Sequence, residues 1–430
     1  MQATLPDLQA YRRFFPALGQ TMQEQPIVFF DNPGGTQTPS LVIEAITAYL
    51  TRANANTGGA FANSRRTDAI IAEARAAIAD FLNADPDEII FGANMTTLTF
   101  AVSRALGRVF QPGDEILVTT LDHDANIAPW LALREQGAVI QTADIHPDTC
   151  TLDMDDLQHK LSPRTKLVAV GYASNAVGTI NDLSTIIRWA REVGALVFVD
   201  AVQYAPHGPI DVRALDCDFL ACSAYKFFGP HLGILYGKHP LLEQLAAYKV
   251  RPASDTPPEK FETGTLNHEG IAGLLGAMDY LALLGRDQTD LYPDEYPDWS
   301  GRRRTIKLAM RAIQDYERGL AAHLLQNLSN IDGLSILGLT RLEDLPRRVP
   351  TVACVSNRHT PRDMARELGE RGIFTWDGNY YALALMERLA LGKQGALRIG
   401  LAHYNTAEEI DRLIAVLQKL HAKAKTSRDS

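Results

Sequence analysis

The sequence predicts an α/β protein: a large domain on a mainly parallel seven-stranded sheet, followed by a smaller α+β C-terminal domain. Three observations carry this expectation. Short apolar runs alternate with amphipathic stretches, the pattern of parallel strands covered by helices. The chain has 430 residues, 46% of them hydrophobic, enough for more than one lobe around a large core. Beyond about residue 285 an acidic, aromatic stretch from Asp287 to Trp299 leads into Arg302-Arg303-Arg304 and a long helical pattern, which reads as a domain boundary. The expected organisation is an N-terminal helical segment over 1–25 that joins the small domain, a large domain over 26–285 and the small domain over 286–430.

In chain order, the strand candidates are 88–91, 115–120, 138–142, 166–172, 195–200, 218–222 and 233–237. Helical patterns fall at 64–82, 96–109, 126–136 and 183–193. Strand-helix-strand units cross over right-handed and collect ligands at the C-terminal ends of their strands. The stretch 287–299 reads as a solvated linker, with a lid over the site as the alternative.

Composition removes several function classes. A formal charge of −9 with no Lys/Arg tract gives no footprint for nucleic acid or anionic lipid. The first residues lack an apolar h-region and there is no run of 18 apolar residues, so neither a signal peptide nor a membrane span is expected, and the compartment expected is the cytoplasm. The four cysteines, Cys150, Cys217, Cys222 and Cys354, show no zinc spacing, so neither a disulfide framework nor a metal is expected. GxGxxG, GxxxxGK[ST] and HExxH are absent from the sequence.

Two features bear chemistry. Val197-Phe-Val-Asp200 is an apolar strand ending in an acid, a position that is costly unless a cation faces it. Cys222-Ser-Ala-Tyr-Lys226-Phe-Phe-Gly-Pro-His-Leu-Gly233 sets a lysine among aromatics, where poor solvation lowers its pKa and makes its amine nucleophilic. Alone, Asp200 reads equally as a helix N-cap and Lys226 as a surface lysine. Together they match what pyridoxal 5'-phosphate (PLP) needs: an amine for its aldehyde and a carboxylate for its ring nitrogen.

From here the chain resembles the class V aminotransferases of PLP fold type I, and within them the cysteine desulfurase and selenocysteine lyase branch. The family's Asp-x-x-Gln strand end is similar to Asp200-Ala-Val-Gln203, and its Ser-x-His-Lys to Ser223-Ala-Tyr225-Lys226. Glu-His-x-x-Asn-x-x-Pro-Trp resembles Asp122-His123-Asp-Ala-Asn126-Ile-Ala-Pro129-Trp130, with Asp for Glu. Ser174-Asn175-Ala-Val-Gly178-Thr179, Phe261-Glu262-Thr-Gly264-Thr265 and Arg398 with Tyr404-Asn405-Thr406 follow in family order.

The resemblance implies roles. Lys226 would bond the cofactor and remove the α proton. His123 would stack on the ring and shuttle protons. Asp200 would pair with the ring nitrogen, and Gln203 or Asn175 would donate to the phenolic oxygen. The phosphate would sit at the helix start near Met95 and Thr96, with hydroxyls from Ser223 and Tyr225. Thr265 would come from the neighbouring subunit, so a homodimer with shared sites is implied. Arg398, with Asn175 beside it, would hold the substrate carboxylate.

The departures bear on the reaction. Persulfide-forming desulfurases carry a cysteine on a mobile loop before that arginine; here the segment is Gly372-Ile-Phe-Thr-Trp-Asp-Gly-Asn-Tyr-Tyr381-Ala, without one. The expected activity is a cysteine desulfurase-like C–S lyase acting by β-elimination on an amino acid. A PLP-dependent aminotransferase or epimerase is the alternative, and a non-catalytic PLP-binding or sulfur-relay protein is the reading of another class. Trp376, Tyr380 and Tyr381 suggest an aromatic pocket mouth.

Overall fold

A computed structural model of the chain describes residues 6–426, with side chains through 422. The central strands are β1 (Ile89–Gly92), β2 (Glu115–Thr119), β3 (Val139–Ala143), β4 (Thr165–Gly171), β5 (Leu196–Asp200), β6 (Phe219–Ser223) and β7 (Gly233–Gly237). They form a seven-stranded sheet in the order β1-β7-β6-β5-β4-β2-β3, in which β7 alone runs against its neighbours. Their residues alternate between two cores: Leu117, Val168, Val197, Val199 and Leu220 face one, while Ile116, Val118, Leu167, Phe198 and Phe219 face the other. A sheet buried on both faces needs apolar residues on both sides of a strand, which is why the strands read as apolar runs, apart from the partly exposed edge strand β3.

Helices α1 (Ser40–Arg52), α2 (Ala62–Leu82), α3 (Met95–Gly107), α4 (Leu183–Glu192) and α5 (His268–Asp287) belong to the large domain. Helix α6 (Gly301–Leu328) bridges to the small one: Ile306, Met310 and Ile313 enter the large core, and Leu320, Leu324 and Leu328 the small. The small domain adds α7 (Pro361–Gly369), α8 (Ala407–Thr426) and an antiparallel sheet of β8 (Leu334–Ile336), β9 (Thr351–Ser356), β10 (Trp376–Gly378) and β11 (Ala396–Gly400), in the order β8-β9-β11-β10.

One expectation needs correction. The pattern at 126–136 is not one α-helix but a four-residue α turn, Ala128–Leu131, followed by 3-10 turns over Ala132–Gln136. Pro129 removes a backbone donor inside the segment. The N-terminal segment carries two short 3-10 helices, Gln9–Phe14 and Pro16–Gly19. It is pinned by Arg12, which pairs with Glu409 at 2.8 Å, and by Phe15, whose ring meets Tyr280 at 5.3 Å. The stretch 288–300 joins α5 to α6, and none of its residues lines the cleft described next.

Candidate active site

A cleft of about 1190 Å³ opens at the C-terminal ends of β4, β5 and β6, between the two domains. It brings together Met95, Thr96, His123, Asn175, Asp200, Gln203, Ser223, Tyr225, Lys226 and Arg398, which stand far apart in sequence. Thr265 is the exception: it lies on an exposed stretch and does not line the cleft of its own subunit.

Lys226 follows β6 in a 3-10 turn, 8% exposed, and its Nζ donates to the carbonyls of Pro33 and Gly34. Burial lowers its ammonium to about 7; Arg398 adds to the shift, and Asp200 and Asp31 oppose it. Gln203 Nε2 donates to the same Pro33 carbonyl at 2.9 Å, so the loop over 32–35 braces both side chains.

Asp200 ends β5, with one carboxylate oxygen accepting from the Val202 N–H at 2.9 Å. Burial raises its carboxyl to about 6, against the pull of that hydrogen bond and of Lys226. Asp122 lies behind it, accepting from Gly171 N–H at 2.8 Å and Asn126 Nδ2 at 2.9 Å. Burial raises Asp122 to about 7, and the Asp200 charge adds to it. Two buried carboxyls near one strand edge leave the pair short of a cation.

His123 Nδ1 accepts a hydrogen bond from the Ala125 backbone N–H at 3.0 Å. An amide can only donate, so Nδ1 carries no proton and the imidazole is the neutral Nε2–H tautomer. Burial lowers its pKa to about 4, assisted by Lys226 and Arg398. The proton-shuttling role is thereby confined to the Nε2 proton. The Tyr381 ring lies 5.6 Å from the imidazole, and the Tyr381 carbonyl accepts from Asp124 N–H at 2.7 Å.

At the far end stands the first turn of α3. Asn94 caps it, its Oδ1 accepting from Thr97 N–H at 2.9 Å, and Met95 N–H donates to Ser223 Oγ at 3.1 Å. Two donors of that turn are therefore engaged within the chain, and Thr96 N–H is left free. Tyr225 stacks on His231, with centroids 4.6 Å apart and planes at 14°.

Arg398, on β11, is 4% exposed. Its Nη1 donates to the Asn175 carbonyl at 2.9 Å, its guanidinium lies 4.4 Å from the Tyr380 ring centroid, and its Nε has no partner. Asn175 donates from Nδ2 to the Tyr380 carbonyl at 2.7 Å and keeps a buried, unpaired Oδ1. Asp31 Oδ1 is likewise buried and unpaired. Sequence reasoning missed Asp31, whose only signal was an acid just after an apolar run, and His231, which carried none. None of the four cysteines lines the cleft; all are buried, and burial pushes Cys354 up to about 12.

The class-V aminotransferase family model matches residues 28–299 and 303–413. A probable cysteine desulfurase of Xylella fastidiosa (strain 9a5c) is 34% identical over 434 residues, covering 97% of this chain and 96% of the relative. A cysteine desulfurase of Dickeya dadantii is 34% identical, with 95% and 96% covered. Among solved structures, a cysteine desulfurase from Thermococcus onnurineus NA1 superposes with a TM-score of 0.83 at 26% identity, over 98% of this chain and 100% of the other. One from Escherichia coli gives 0.79 at 29% identity, over 95% and 97%.

Proposed function

This chain belongs to the class-V aminotransferase family, a family of PLP-dependent enzymes, and from that membership we propose that it cleaves the C–S bond of a sulfur-bearing amino acid without a thiol of its own. The carrying observation is a desolvated amine, Lys226, beside a carboxyl at a strand tip that lacks its cation, Asp200.

The residues fit PLP. Asp200 would hold a proton at the pyridine nitrogen, His123 would cover the ring face, and Thr96 N–H and Ser223 would meet the phosphate. The unpaired Arg398 Nε and Asn175 Oδ1 are buried polar atoms that a bound amino acid can satisfy. When bound, PLP acts as a sink for electrons released at the substrate's α carbon. Arg398 would bind the α-carboxylate; its Nη1 is already fixed by Asn175, which holds the guanidinium in orientation. Lys226 would take the α proton, and the bond from the β carbon to sulfur would break with its electron pair leaving on sulfur. Sulfide or a thiol departs, and hydrolysis gives pyruvate and ammonia. The segment that bears the attacking cysteine in persulfide-forming desulfurases is here tied down at Tyr380 and Tyr381 by the carbonyl contacts to Asn175 and Asp124.

A homodimer sharing Thr265 across its interface belongs to the same proposal, as does a cytoplasmic location; among the described residues no helix is long and apolar enough to cross a membrane. The test is an absorbance titration of the purified protein with PLP, then with cysteine, cystine, alanine and glutamate, alongside Lys226→Ala. A visible cofactor band that the mutant lacks, with pyruvate and sulfide from cysteine or pyruvate and cysteine persulfide from cystine, supports the reading. Conversion of the cofactor to its amine form, or racemisation without breakdown, would replace lyase by transaminase or epimerase. A protein that shows no band with added PLP would refute it.

A further inference from the structure

We propose that His231 is a ligand of the cofactor phosphate and supplies the positive charge that this end of the cleft otherwise lacks. The inference rests on the cofactor site proposed above.

Position comes first. His231 lines the cleft from the turn between Lys226 and β7. Two residues on, a Cβ on Gly233 would stand 2.4 Å from the Asn94 carbonyl carbon, so this segment runs directly against the cap of α3. His231 and the first turn of α3 both line the cleft. The ring stacks on Tyr225, whose own centroid lies 4.7 Å from Lys226 Nζ, so one short chain of contacts joins the amine to the imidazole. His231 is exposed, and neither ring nitrogen has a hydrogen-bond partner among the described residues.

Charge comes second. A phosphate monoester carries between one and two negative charges near neutral pH. The backbone offers it little, because Met95 N–H and Thr97 N–H are engaged by Ser223 and Asn94 and only Thr96 N–H is free. The cleft residues from 93–97 and from 223–231 include no arginine, and their one lysine, Lys226, turns its amine to Pro33 and Gly34. Arg398 is engaged at Asn175 and Tyr380. Among the cleft residues of 93–97 and 223–231, His231 is the remaining side chain able to become cationic, and an imidazolium N–H to phosphate is a charge-assisted bond.

The test is equilibrium binding of PLP and of pyridoxal, which lacks the phosphate, to the cofactor-free dimer or monomer as purified, with inorganic phosphate as competitor. His231→Gln should weaken PLP about tenfold or more while leaving pyridoxal within about twofold of wild type, and should blunt competition by phosphate. His231→Arg should restore PLP affinity, and unchanged thermal unfolding of both variants would show that the fold is intact. PLP affinity unaltered in His231→Gln, or PLP and pyridoxal weakened equally, would overturn this inference alone, the second result meaning that the ring only packs on Tyr225. Wild-type protein that captures neither compound would overturn the cofactor site and this inference with it.

Discussion

Under the proposed function the Lys226 side chain would carry two opposed demands: it would have to be buried to reach the cofactor, and it would have to lose a proton to react. The fold meets both by desolvating the amine and setting the Arg398 charge near it, which together bring the ammonium to about 7. Only the neutral amine attacks an aldehyde. Capture of PLP by cofactor-free protein should therefore quicken as pH rises through about 7 and level off above it. Arg398→Gln removes a neighbouring positive charge and should move that midpoint to higher pH. Stopped-flow absorbance across a pH series reads both, and a profile flat from acid to alkaline pH would contradict the assignment. The lysine was legible in the sequence because aromatics flank it. The tautomer of His123 was not, since it is set by the Ala125 amide, a backbone group that every sequence contains.

At the scale of elements, β7 and α3 meet with no room to spare. Gly233 opens β7 and Asn94 caps α3, and the contact between them is backbone against side-chain space that only glycine leaves empty. Gly233→Ala should cost about 1–3 kcal/mol in urea unfolding, the usual range for forcing one extra carbon into a filled site. It should also weaken PLP binding, because the displaced cap carries the free Thr96 N–H; a variant as stable as wild type would show that the segment can yield. A second close approach fixes the substrate side. Gly178 has φ +79°, and a Cβ there would lie 2.5 Å from the Thr351 carbonyl, so the turn bearing Asn175 is pressed onto the small domain. All seven central strands were read within about a residue of their ends, since all but the edge strand β3 are largely buried apolar runs. The segment after His123 was misread as one helix because its polar and apolar spacing hides the change from the α turn Ala128–Leu131 to 3-10 geometry at Ala132.

At the scale of the molecule, helix α6 belongs to both cores, and Arg348 ties them further by donating to the carbonyls of Val177, Leu339 and Thr351. The cleft between the domains is therefore held by covalent continuity and by buried hydrogen bonds. Glu262 anchors another part of the chain, pairing with Arg75 at 2.9 Å and accepting from Phe91 N–H at 2.8 Å, which fixes the stretch leading to the exposed Thr265. In a homodimer of the 47.3 kDa chain Thr265 would enter the neighbouring cleft. Light scattering on the purified protein should return about twice that mass. Mixing Lys226→Ala with Thr265→Ala subunits should restore one native site in each mixed dimer; a monomer, or no recovery on mixing, would leave Thr265 outside the site. By itself the sequence determined where the sheet strands lie along the chain and the family, and it singled out Lys226, Asp200 and Arg398 as the candidates for the reactive amine, its partner acid and the carboxylate anchor. These are written in local apolar runs and in short motifs whose chemistry is carried by residue type. Only the tertiary structure decided which donors at the head of α3 stay free, which proton His123 holds, and that His231 and Asp31 join the cleft. Those depend on how distant backbones pack against one another, and packing distance is not a property of any single stretch of chain.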